Sequence, residues 1–327
     1  MKGYKAFNKG LICKGKKYKE NETFEEERAV PCHRGMHFCK NPFDVLNFYD
    51  LVDENGEFSD FARVEAPDDA EVKTDDNIKY CTTKLKIGAK FSFAGFVKTC
   101  VDFAIEKTQS EKPDSGDSAK IGSSGDSAQI GSSGYSAKIG SSGYSAKIGS
   151  SGNYAQIGSS GDSAKIGSSG DSAKIGSSGD SAQIGSSGYS AKIGSSGYSA
   201  KIGSSGDSAK IGSSGYSAKI GSSGNYAQIG SSGDSAQIGS SGDSAQIGSS
   251  GNYAQIKSTG YDSIICCAGD DSCVSAKKGS WITLAEWKYS YEKDRYVPKC
   301  VKTEYVDGER IKEDTMYKLI DGEFTEV

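Results

Sequence analysis

An isoleucine recurs every nine residues from Ile121 to Ile256, sixteen times without a slip. The units read Gly-(Asp/Tyr/Asn)-(Ser/Tyr)-Ala-(Lys/Gln)-Ile-Gly-Ser-Ser, as in residues 116–124, except that the sixteenth ends in Lys-Ser-Thr; the positions are numbered one to nine below. Two degenerate units follow in the same frame, with Ile265 and Val274 at position six. A fixed short period predicts a stacked repeat architecture, and with only 35% hydrophobic residues the chain lacks the composition of one large globular core.

The nine residues of a unit suit one short strand and one turn. Ala119 and Ile121 share a parity, so a strand would point both inward and Lys120 outward. The Gly-Ser-Ser-Gly segment supplies the turn, because glycine tolerates unusual dihedrals and serine bonds to nearby backbone. We therefore predict a mainly β protein with a two-sided β-solenoid of about 18 residues per coil, roughly 40 Å long at the spacing of paired strands.

A flexible Gly/Ser linker is the alternative that composition alone suggests. One unit cannot fold by itself, because ordering nine residues costs about 1–2 kcal/mol each, whereas burying one Ile returns roughly 1.5–3 kcal/mol. Stability must come from stacked neighbours and end caps. A linker has no reason to keep Ala and Ile in frame sixteen times, so we favour the solenoid.

The predicted organisation has three parts and a joint. Residues 1–108 form an amino-terminal α+β domain with a helix over residues 42–51, and residues 109–115 are the linker. The nonapeptide-repeat solenoid covers residues 116–276. Residues 277–327 alternate apolar and polar side chains and contain two Asp-Gly pairs, which predicts a β meander that caps the solenoid.

The variable positions of the repeat are the candidates for recognition. Position two is Asp in eight units, Tyr in five and Asn in three; position five is Lys in nine and Gln in seven. Tyrosines on a rigid scaffold are good anchors for a protein partner. The predicted partner-binding residues are Tyr135, Tyr144, Tyr154, Tyr189, Tyr198, Tyr216, Tyr226 and Tyr253.

Other origins and other ligands must be weighed against a protein partner. Duplication of whole units would produce it without any function. Eight Asp against nine Lys leave the repeats nearly neutral, which argues against nucleic acid as the partner. A calcium-binding nonapeptide would need Asp where this repeat has Ala119, which argues against calcium. An ice-binding solenoid would favour uniform Thr ladders, which this repeat lacks.

Nine cysteines are present, an odd number that argues against a disulfide framework. Cys13, Cys32, His37 and Cys39 would supply a soft donor set for a structural Zn²⁺, and buried free thiols are the alternative. No other cofactor is expected. The chain shows neither a signal sequence nor a long apolar segment, so we expect a cytoplasmic protein with no membrane association.

Residues 3–9, 35–46 and 281–287 resemble a family of uncharacterised proteins from phages, prophages and gut Firmicutes, in which two similar end domains flank a variable number of repeats. The resemblance implies a viral origin and no established activity. It suggests a non-enzymatic accessory protein in the cytoplasm of a bacterial host. Its solenoid would bind a host or viral protein, with inhibition of an antiviral defence factor as one role.

Two alternatives to this function remain. A structural role in a virion appendage would predict homo-oligomers such as trimers or fibres. An ADP-ribosyltransferase-like enzyme in the amino-terminal domain is suggested by the order of its first elements, with Glu65 as the candidate carboxylate.

Overall fold

The computed structural model describes residues 1–31, 33–49, 51, 58–108 and 116–327. The predicted linker, residues 109–115, lies outside the described residues. The chain divides into two compact units, Met1–Phe103 and Ala104–Val327. The solenoid and the carboxy-terminal segment thus belong to the same unit.

The amino-terminal unit is built on a seven-stranded sheet with the strand order β4-β9-β6-β1-β5-β8-β7. Its core contains Phe7, Phe38 and Leu85, all 2% exposed or less. A separate pair, β2 and β3, forms a small hairpin. The strands are β1 (Lys2–Phe7), β2 (Ile12–Cys13), β3 (Lys16–Lys17), β4 (Thr23–Glu25), β5 (Met36–Cys39), β6 (Asp60–Glu65), β7 (Val72–Lys73), β8 (Lys79–Thr82) and β9 (Lys84–Phe91).

In the described part of the chain two helices accompany these strands, α1 (Pro42–Val45) and α2 (Phe93–Thr108). Helix α1 begins where the Asn41 side chain accepts a hydrogen bond from the Phe43 backbone N–H. The predicted helix over residues 42–51 is too long. After Val45 the backbone forms a 3₁₀-type turn, in which residues three apart are hydrogen-bonded. One such bond runs from the Phe48 N–H to the Val45 carbonyl at 3.1 Å.

The repeat region is a two-sided β-solenoid of nine coils, as the sequence predicts. Strands of alternate units enter opposite parallel sheets, so that Ile121 pairs with Ile139 and Ile130 with Ile148. The strands of the first solenoid sheet are β10 (Lys120–Ser123), β12 (Lys138–Ser141), β14 (Gln156–Ser159), β16 (Lys174–Ser177), β18 (Lys192–Ser195), β20 (Lys210–Ser213), β22 (Gln228–Ser231), β24 (Gln246–Ser249) and β26 (Ile264–Cys267). The strands of the second are β11 (Gln129–Ser132), β13 (Lys147–Ser150), β15 (Lys165–Ser168), β17 (Gln183–Ser186), β19 (Lys201–Ser204), β21 (Lys219–Ser222), β23 (Gln237–Ser240), β25 (Gln255–Ser258) and β27 (Cys273–Ser275).

The interior of the solenoid is filled by columns of identical side chains. From the third unit onward Ala at position four is fully buried, and Ile at position six is at most 3% exposed. Ser at position eight also points inward, because each strand continues through the Gly and Ser that follow the Ile. The turn is therefore shorter than the predicted Gly-Ser-Ser-Gly segment and begins at position nine.

Glycine at position one is required by the close approach of successive coils. A Cβ atom placed on Gly179 would lie 1.9 Å from the carbonyl oxygen of Gly161, one coil earlier. The same clash, at 1.8–2.1 Å, recurs from Gly134 to Gly269. No other residue type fits this stacking.

The turns of the repeat adopt two forms, which differ in the φ angle of the residue after position two. Where Asp or Asn accepts a hydrogen bond from the backbone N–H one coil further on, the next residue has a positive φ, as in Asn225-Tyr226 and Asp207-Ser208. A Tyr at position two has no side-chain acceptor for this bond. In the sixteen regular units the residue after such a Tyr never has a positive φ.

The carboxy-terminal segment forms two hairpins that extend the solenoid sheets, where a single meander was predicted. Its strands are β28 (Trp281–Ser290), β29 (Arg295–Tyr305), β30 (Tyr317–Ile320) and β31 (Glu323–Glu326). β28 pairs in parallel with β26 and continues the first sheet, whereas β30 pairs with β27 and continues the second. Asp321-Gly322 makes the β30–β31 turn with two positive φ angles, but Asp307-Gly308 lies between the two hairpins.

Candidate binding surfaces of the solenoid

The eight candidate tyrosines lie on two opposite edges of the solenoid. The turns that precede the strands of the first sheet lie on one edge of the solenoid. The turns that precede the strands of the second sheet lie on the other edge. The first edge carries Tyr135, Tyr154, Tyr189 and Tyr226, and the second carries Tyr144, Tyr198, Tyr216 and Tyr253. All eight are 46–64% exposed. They therefore cannot act as one continuous face.

Some of these tyrosines contact each other along an edge. The rings of Tyr198 and Tyr216 stack in parallel with centroids 5.2 Å apart, and those of Tyr135 and Tyr154 are tilted at the same distance. Tyr154, Tyr226 and Tyr253 stand at position three with φ near +60°, a conformation that bulky residues rarely adopt. The edges thus present small aromatic clusters separated by Asp, Asn and Ser.

The outer face of the first solenoid sheet is different, and we call it the lysine–glycine face. It is formed by Lys or Gln at position five and Gly at position seven in the eight strands from β10 to β24. These residues line one open groove of about 1480 Å³ that runs from Lys120 to Ile264. Its floor is the strand backbone, which is exposed at each position-seven glycine because glycine has no side chain.

The glycines of this floor have no steric reason to be glycine. A Cβ atom at Gly140, Gly176 or Gly212 would meet nothing within 4 Å, and none of these residues has a positive φ. Glycine inside a strand costs roughly 0.5–1 kcal/mol relative to alanine. Its repetition in eight strands keeps the groove flat at the expense of stability.

Lysines form a row beside this glycine floor. They are Lys120, Lys138, Lys174, Lys192 and Lys210, all exposed. Gln completes the row in the other three strands, and positions five to nine of these units contain no Asp or Glu. None of the five lysines forms an ion pair with a residue that the structure describes.

This surface is hidden in the sequence when the charges of all sixteen units are added together. The repeats are nearly neutral in sum, but the fold sends every position-two Asp to an edge and the position-five Lys to a face. Sorting the units into odd and even members, which follows from 18 residues per coil, would have revealed five lysines on one sheet. Tyr and Asn of the regular units therefore lie on different surfaces from Gln and Lys.

The predicted zinc ligands are not assembled in the part of the chain that the structure describes. No three His, Cys, Asp or Glu side chains come together there, and Cys32 lies outside the described residues. Cys13 Sγ is 2.8 Å from the Tyr49 hydroxyl, and burial raises the pKa of Cys39 to about 12. The zinc site remains a prediction without supporting geometry.

His37 and Cys13 nevertheless line the same cavity of the amino-terminal unit. Burial, followed by the charges of Lys79, Lys5 and Lys14, lowers the pKa of His37 to about 4, so this imidazole is neutral at neutral pH. Glu65, the carboxylate of the enzyme alternative, is at the exposed end of β6 and is not among the residues that line this cavity.

Residues 1–99 match a domain of unknown function, DUF7666. The amino-terminal unit carries this domain. The match ends inside α2 and leaves the solenoid unassigned. No curated protein and no solved structure matches the chain. Among the described residues, no helix is long and apolar enough to cross a membrane.

Proposed function

We propose that the solenoid is a non-enzymatic binding scaffold whose lysine–glycine face holds an extended acidic segment of a protein partner. The observation that carries the proposal is the combination of a bare glycine floor with a row of lysines that lack ion-pair partners among the described residues. Each feature is unfavourable in isolation. Together they suit a ligand that lies flat along the rod and supplies carboxylates.

The chemistry of the face favours a protein over a nucleic acid. Every cation in the row is Lys, a compact point charge, and the forked side chain of Arg that matches phosphate is absent. The aromatic side chains that could stack on bases are confined to the edges, with Asp beside them. An acidic protein segment needs only spaced cations and a flat surface.

The biological setting is part of the proposal. We place the protein in the cytoplasm of a bacterial host, as a phage-derived accessory protein that blocks a host antiviral factor by occupying its acidic segment. The resemblance of the end segments and repeats to phage proteins supports this setting. Stoichiometric inhibition needs a rigid surface and no catalytic group.

A pull-down from bacterial lysate with three variants tests the proposal. The face variant changes Lys138, Lys174, Lys192 and Lys210 to Gln, which the repeat itself uses at position five. The charge control changes four exposed lysines elsewhere to Gln, namely Lys17, Lys86, Lys288 and Lys293. The edge variant changes the five position-two tyrosines to Asn and the three position-three tyrosines to Ser, again residues that the repeat uses there.

We expect a nuclease-resistant partner that the face variant loses and that the other two variants retain. Loss of the partner in the edge variant with retention in the face variant would place recognition on the tyrosines and contradict the assigned face. Loss in the charge control alone would move recognition away from the solenoid.

A further inference from the structure

The amino-terminal unit contains a cavity of about 830 Å³ that plays no part in the proposed binding by the solenoid. Among the described residues it is lined only by members of this unit, which include residues of β1, β5, β8, the β2–β3 hairpin, the segment before β5 and the segment after α1. Its volume falls in the range of small-molecule sites. The cavity is large enough for an organic ligand and too large for a lone inorganic ion.

Two neighbouring strands of the sheet contribute to the lining of the cavity. β1 and β5 are paired only at Tyr4 and Cys39, and the next residue of β1, Lys5, is one of the lining residues. Lys5 is only 3% exposed, and its Nζ donates to the His37 carbonyl at 3.0 Å and to the Tyr49 hydroxyl at 3.1 Å. These two acceptors hold the Lys5 side-chain nitrogen in place, and burial lowers its pKa.

Two further lysines of the lining lack ion pairs with described residues. Lys14 stands at a positive φ in the β2–β3 turn, and the Lys79 Nζ lies 4.2 Å from the centroid of the Phe48 ring. Lys5, Lys14 and Lys79 line the same cavity as His37.

The other charged residues of the lining do not cancel the excess of basic side chains. Lys16 is paired with Glu26 at 2.6 Å, and Arg34 makes a longer contact with Glu27 at 3.4 Å. Glu26 is the one acidic side chain among the described lining residues, against five Lys and Arg. The described lining therefore has more basic than acidic side chains.

The lining also contains groups that suit an organic moiety. Tyr18, Phe48 and Tyr49 provide aromatic surface. The His37 Nε2 atom is buried and has no hydrogen-bond partner among the described residues, so one polar atom of the lining is unsatisfied.

We infer that this cavity binds a small phosphorylated organic molecule of nucleotide size. The phosphate lies toward Lys5, Lys14 and Lys79, and the organic part packs against Tyr18, Phe48 and Tyr49. A dianionic group fits a lining with two lysines that are not buried, Lys14 and Lys79, and the Lys5 nitrogen as a further donor better than a single carboxylate does.

Calorimetric titration of the full-length chain with ADP tests this inference, with inorganic phosphate and adenosine as separate probes. The site variant changes Lys14 and Lys79 to Gln and leaves the buried Lys5 intact, so that the fold is preserved. The control changes Lys17 and Lys86 to Gln, two exposed lysines of the same unit outside the cavity.

We expect one ADP per chain, bound more tightly than inorganic phosphate or adenosine, with affinity at least tenfold lower in the site variant and unchanged in the control. The face variant of the solenoid should bind ADP like the unmodified chain, which separates this site from the proposed scaffold. Absence of ADP binding at millimolar concentration would overturn the inference, as would an equal loss in the control. Inorganic phosphate binding as tightly as ADP would overturn the organic part.

Discussion

The Asn225 side-chain oxygen accepts a hydrogen bond from the backbone N–H of Asp243, one coil further along the solenoid, at an N···O distance of 2.9 Å. Asp243 repeats the contact with the N–H of Tyr261 at 2.8 Å. The position-two carboxylates and amides of these turns thus hydrogen-bond successive coils to each other along an edge. This gives the Asp and Asn residues that make the contact a structural role, separate from any partner.

Replacing Asp207 by Ala should test this role. Asp207 accepts from the N–H of Asn225 at 2.8 Å, and the loss should lower the free energy of unfolding by about 0.5–1.5 kcal/mol. Asp162 occupies the same position in a turn where the next residue has no positive φ, so Asp162→Ala is the matched control. Urea unfolding would measure both; equal losses would contradict the assigned contact.

Two glycines three residues apart should respond oppositely to alanine. Gly179→Ala drives a Cβ atom into the Gly161 carbonyl and should cost about 1–3 kcal/mol or more. Gly176→Ala, on the lysine–glycine face, meets nothing within 4 Å and should stabilise the chain by roughly 0.5–1 kcal/mol. Thermal unfolding of the two variants distinguishes a required glycine from one retained for the groove, and destabilisation by both would remove that distinction.

The inward serines offer a second pair with opposite signs. Ser204 is fully buried and its hydroxyl has no hydrogen-bond partner among the described residues, so Ser204→Ala should raise the free energy of unfolding by about 1 kcal/mol. The Ser195 hydroxyl accepts from the Gly197 N–H at 3.4 Å, and Ser195→Ala should lower it by roughly 0.5 kcal/mol. A loss of stability in Ser204→Ala would show that its hydroxyl is satisfied after all.

Neighbouring thiols of β26 should differ in reactivity. Cys266 is exposed, whereas Cys267 is buried and its pKa is raised to about 12 by burial. A raised pKa leaves the thiol protonated at pH 8, and the thiolate is the reactive form. Brief treatment of the folded chain with iodoacetamide should therefore alkylate Cys266 and spare Cys267, as read by mass spectrometry. Comparable alkylation of both would contradict the burial of Cys267.

The sequence predicts the solenoid because one periodicity governs it. The parity of Ala119 and Ile121 sets which side chains point inward, and a unit of nine residues sets two strands per coil. The two glycines of a regular unit look alike in the sequence. A side chain at Gly179 would clash with the preceding coil, whereas one at Gly176 would meet nothing within 4 Å. Only the stacked structure separates them.

The amino-terminal unit was less predictable for a related reason. β1 pairs along its whole length with β6, which lies far along the chain, and opens from β5 beyond a single pair. Such long-range pairing leaves no local signal. The cavity lysines, Lys5, Lys14 and Lys79, come from three separate segments, so no spacing in the sequence indicates that they meet.

The most direct test of the proposed scaffold is a fluorescence anisotropy titration of a labelled oligoglutamate peptide against the full-length chain. A peptide of about twelve residues would follow the lysine–glycine face at roughly 3.3 Å per residue. We predict saturable binding that weakens with added salt, falls at least tenfold in the face variant and persists in the edge variant and the charge control. Equal affinity for the unmodified chain and the face variant, or tighter binding of a single-stranded oligonucleotide of the same length, would contradict it.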